Sequence, residues 1–90
     1  RMTCTGSDGA KFILRSSYSA RQLDTISTSG IVHHYVALDN TKEGPGFRVH
    51  AVGTGAHGVN RLLTAWFGRQ SGTLVVMGDN PGSFKCSGAW

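Results

Sequence analysis

The sequence predicts an α+β fold over a single domain, residues 1–90: an N-terminal β-hairpin and one α-helix packed on a four-stranded antiparallel sheet. Three observations predict it. An Asp8-Gly9 turn separates two short strand-like runs, Ala20, Leu23 and Ile26 recur at three-residue spacing, and the apolar runs after Gly30 are bounded by glycine-containing turns. A domain this small buries only about 60 % of the surface its unfolded chain exposes, so it needs a staple.

Taken in order, residues 2–5 and 10–15 form the hairpin, because Asp and Gly tolerate positive φ in a tight turn. Ser16 or Ser17 then caps a helix of about three turns. Ala20, Leu23 and Ile26 are its apolar stripe, Arg21, Gln22 and Asp24 its wet side, and residues 27–30 its end. Residues 31–38, 47–52, 62–67 and 74–77 follow as the strands of an antiparallel meander, joined by 39–46, 53–58, 68–72 and 78–83. Most of the thirteen glycines fall in these connections, where a short turn needs backbone freedom.

Alternation along the strands sorts their side chains into two faces. Phe47, Val49 and Ala51 share a face, expected against the helix, and leave Arg48 and His50 on the other. His33 and His34 point to opposite faces and cannot jointly chelate a metal. On the next strand, Leu62, Thr64 and Trp66 oppose Arg61, Leu63, Ala65 and Phe67. If Arg61 shares the open face with Arg48, His50 and one of the paired histidines, the domain presents a shallow cationic groove.

Nine Lys and Arg against five Asp and Glu give a net charge of +4, which favours phosphate or acidic partners. No apolar run approaches the roughly 20 residues of a membrane-crossing helix, and no apolar leader follows Arg1. The chain is therefore expected as a soluble mature form and a monomer, with no membrane partner. Cys4 and Cys86 sit at opposite ends without zinc-type spacing, so no metal or other cofactor is expected. They read as a disulfide, stabilising by about 4 to 5 kcal/mol in the chain-entropy picture. The alternative is two buried thiols of a cytosolic protein.

The segment Gly55-Ala56-His57-Gly58-Val59-Asn60-Arg61, the run Leu74-Val75-Val76-Met77 and the closing Cys86 follow a strand carrying His33 and the run Val49-His50-Ala51-Val52. This order resembles the secreted guanine-specific ribonucleases of fungi. The resemblance implies attack of the RNA 2′-oxygen on its own phosphate, with a His and a Glu removing the proton, an Arg at the phosphate and a second His as acid. His33 matches the first His and Arg61 the Arg. Arg48 stands at the Glu, however, and Met77 falls where the second His belongs. A guanidinium is no base at neutral pH, and each acid or base group is typically worth about 10²- to 10⁴-fold.

The chain is thus similar to the ribonuclease-like secreted effectors of powdery mildew fungi, which share that fold, join their ends by a disulfide and lack the catalytic set. That resemblance implies a non-catalytic virulence or avirulence protein, secreted and acting in the host cell. It would bind host proteins and be detected by a plant intracellular immune receptor. Partner contacts are expected in the connections, at Lys42, Glu43 and His57. A second expectation is weak RNA binding without hydrolysis through His33, Arg48, His50 and Arg61, with Lys85 as a further phosphate contact. The third is a secreted ribonuclease using His33 and His50 as base and acid beside Arg61.

Overall fold

The computed structural model describes residues 1–17, 21–54 and 60–88, with Ser17 by its backbone alone. Strands Met2–Gly6 (β1) and Lys11–Ser17 (β2) form the expected hairpin, Thr5 opposite Lys11, and the Asp8 carboxylate accepts the Ala10 N–H in the turn. Six further strands follow: Gln22–Ser27 (β3), Val32–Glu43 (β4), Gly46–Thr54 (β5), Arg61–Phe67 (β6), Ser71–Gly78 (β7) and Gly82–Gly88 (β8). Each pairs antiparallel with its neighbours in the chain, and β8 pairs back onto β1. The result is a closed eight-stranded up-and-down barrel, an architecture without free sheet edges.

This corrects the α+β expectation, and with it the ribonuclease-like arrangement of helix on sheet: no helix occurs among the described residues. The segment read as a helix is β3. Leu23 and Thr25 are buried inside the barrel while Gln22, Asp24 and Ile26 point outward, a period of two. The three-residue spacing lacked the i+4 partners of a true helical stripe, and Thr25 and Ile26 are β-branched. As a strand the segment completes ladders on both sides, to β2 and β4, whereas as a helix it would leave two edges open. Ala20 lies outside the described residues.

The four-stranded sheet is corrected as well. Its four runs lie in β4 to β7, but residues 82–88 add a full strand, and β1 to β3 belong to the same sheet. The expected connection 39–46 shrinks to Gly44-Pro45, because β4 continues to Glu43; Gly44, at φ 58°, occupies the turn position that demands positive φ. A bulge at Leu38 reverses the side-chain alternation, so that Asp39 pairs with outward His50 and Asn40 with inward Val49.

The core fills the barrel with Met2, Leu14, Tyr35, Leu63, Leu74 and Val76 among its buried side chains. Cys4 and Cys86 form the disulfide, and no free cysteine remains. The two residues lie directly opposite each other on β1 and β8, so the bond staples the one seam at which the barrel closes.

Candidate functional site

The residues expected to form a cationic groove are divided between the two sides of the barrel wall. Arg48 and His50 point outward from β5, where each is matched to an acid across the β4–β5 hairpin. Arg48 donates to Glu43 at 2.7 Å, and His50 Nδ1 lies 2.9 Å from the Asp39 carboxylate, which also accepts the His50 backbone N–H. That ring contact, stronger than the small opposing effect of burial, holds the Asp39 carboxyl below its ordinary value. Trp66 closes the other side of the hairpin by donating its indole N–H to the Glu43 carbonyl. Glu43 therefore braces β4, β5 and β6, and with Lys42 it lies in a strand rather than a loop. His57 lies outside the described residues.

Arg61 points the other way. The β5–β6 register sets it in line with Leu63, Ala65 and Phe67 inside the barrel, where its guanidinium stands 6.0 Å over the Tyr35 ring and its buried Nε has no hydrogen-bond partner among the described residues. The groove of Arg48, His50 and Arg61 is thus not assembled. His33 alternates inward with Tyr35, across from buried Thr25, so His33 and His50 do not share a face either. Burial pushes the Tyr35 phenol up, against smaller opposing effects of the Arg61 charge and of Thr25. Lys85 stands exposed on β8.

A different site opens at the end of the barrel where β4 turns into β5 and β6 into β7. There a cavity of about 310 Å³ is walled by Leu23, Ala37, Phe47, Val49 and Phe67. It exists because two of the inward positions at this end are small: Ala37 and Val49 reach only partway across the lumen. Gly46 has no freedom to change, since a Cβ there would strike the Phe67 carbonyl and the Trp66 ring. Polar groups line the rim: Ser16, Asn40, and the two arginines Arg21 and Arg69.

Alternation in the sequence had already grouped Phe47 with Val49 and Ala51 on one apolar face. What it lacked was the cover: with no helix to fill that face, Phe47 remains 46 % exposed at the lip of an open mouth. Arg21 and Arg69 carried no signal of their own, being single basic residues beside turns. Comparison with family models, curated proteins and solved structures finds no match to this chain.

Proposed function

We propose that this protein is a small binding protein that takes an apolar molecule into the open end of its barrel. The observation that carries this reading is the 310 Å³ hollow with its apolar walls, within the range of pre-formed ligand pockets. Eight-stranded barrels are just wide enough to be packed solid or to hold one small ligand, and the small side chains at this end leave room for the latter. At about 30 Å³ per water-sized group, the hollow takes a ligand of about ten heavy atoms.

The reading is tested with 1-octanol, titrated into the disulfide-bonded chain and followed through amide NMR shifts. Shifts are expected to concentrate at Leu23, Ala37, Val49 and Phe67, and Val49→Phe, which fills the hollow from its wall, should abolish them while the barrel stays folded. Absence of shifts in the wild type, or equal binding by the filled variant, rejects it.

A second reading, contact with a protein partner such as the effector resemblance implies, draws on the outside of the barrel. Val36 pairs with Val52, Val52 with Leu62 and Leu62 with Met77, making one apolar row across four strands; Leu62 and Met77 are 53 % and 55 % exposed. Leu62→Lys should then abolish capture of that partner without unfolding the barrel. If capture survives, this face is not the contact.

A further inference from the structure

We infer that the ligand of the barrel mouth is an amphipathic anion, an aliphatic or aromatic carboxylate of about ten heavy atoms whose tail fills the hollow and whose head lies between Arg21 and Arg69. The inference rests on the mouth being a ligand site and adds the chemistry that selects the ligand.

Charge complementarity is the first argument. Arg21 and Arg69 both line the mouth, no Asp or Glu does, and neither arginine has an ion pair or side-chain hydrogen bond among the described residues. The acids nearest in the fold are committed elsewhere. Asp24 is held by Arg15 and His34, Asp39 by His50, and Glu43 by Arg48, all on the outer surface. The remaining two, Asp8 and Asp79, lie in turns at the opposite end of the barrel. A planar guanidinium beside an apolar wall suits a carboxylate, which it can bind by two parallel hydrogen bonds while the attached tail stays out of water.

The backbone of Arg21 supplies the second argument. Its φ is 50°, in the left-handed region, and its carbonyl accepts the N–H of Ala37, a wall residue of the cavity. An L-residue with a long side chain is disfavoured there by about 1 kcal/mol or more, whereas glycine is not. Among the described residues, glycine serves the other positive-φ positions at φ 58° to 134°, and the one other exception is Asn80, a residue type that tolerates this region. Glycine at position 21 would relieve this backbone cost, so an arginine there fits a role for its side chain at the mouth.

The test compares octanoate, 1-octanol and octylammonium on the folded, disulfide-bonded chain at low salt, for wild type, Arg21→Gly, Arg69→Gln and the double variant, with amide NMR shifts giving both affinity and foldedness. Octanoate should bind wild type about tenfold tighter than octanol, as expected for charge-assisted hydrogen bonds, with octylammonium weakest. The preference should shrink in each single variant and vanish in the double variant, with octanoate losing far more affinity than octanol, and Arg21→Gly should be at least as stable as wild type. Added salt should erode the preference alone. Octanol binding as tightly as octanoate, or a preference that survives in the double variant, overturns the anion inference and leaves the apolar site standing. Failure of all three ligands to bind removes the site itself.

Discussion

At the scale of single residues, the outer wall is organised by carboxylates rather than by free cations. Asp24 is the clearest case: its side chain is 14 % exposed and receives Arg15 at 3.1 Å, Gln22 at 2.9 Å and the His34 ring at 2.8 Å. Burial acts to raise its carboxyl, but those three hydrogen bonds and the His34 charge outweigh it and hold the group below its ordinary 3.8. A carboxyl depressed in the folded state adds stability that is complete above the unfolded value and lost as pH falls through the folded one. The barrel should therefore lose stability below about pH 4, and Asp39 acts in the same direction. Urea midpoints measured at pH 6 and pH 3 should fall less in Asp24→Asn than in wild type; equal falls would show that Asp24 is not a source of the acid sensitivity. None of these pairings could be read from the chain, because Arg15, Asp24 and His34 are nine and ten residues apart and meet only through the register of β2, β3 and β4.

At the scale of elements, turn chemistry and the neighbours within the hairpin and the meander were legible, whereas the strand β3 with its two ladders and the closure of β8 onto β1 were not. Asp8-Gly9 and the glycine-bounded runs after Gly30 announced β1, β2 and β4 to β7, since those signals are local. The segment 22–27 carried mixed local signals, and the two open edges on either side of it decided in favour of a strand. The end of the β6–β7 ladder away from its turn shows how tightly this wall is drawn. Gly78 sits at φ 94° with Arg61 as its ladder partner, and a Cβ there would collide with the Asn60 carbonyl. Gly78→Ala should cost about 1 to 3 kcal/mol, combining the positive φ with the clash. Chemical denaturation measures it directly, and a loss under 0.5 kcal/mol, the usual range for neutral surface changes, would show that the backbone relaxes.

At the scale of the whole molecule, the barrel depends on one closure that is remote in sequence. β1 and β8 are the first and last strands, and their cross-strand disulfide spans a separation of 82 residues, so it removes much of the freedom of the unfolded chain. Cys4→Ser should lower stability by about 2 to 5 kcal/mol, measured by denaturant unfolding against the oxidised wild type. The loss should concentrate in amide exchange along β1 and β8, because those strands alone form the seam; uniform loss of protection would mean that the barrel opens as a single unit.

What the sequence by itself determined is whatever short range controls: two opposed cysteines, strands bounded by glycine turns, and the alternation that put Phe47, Val49 and Ala51 on one face and Arg48 and His50 on the other. Tertiary structure alone decided which face of β6 became the inside. Once eight strands close on themselves, the inner face is the one whose side chains fit the lumen, and Arg61, in line with Leu63, Ala65 and Phe67, goes inward with them. The same closure leaves the mouth open at Ala37 and Val49, because side chains of that size do not span an eight-stranded lumen.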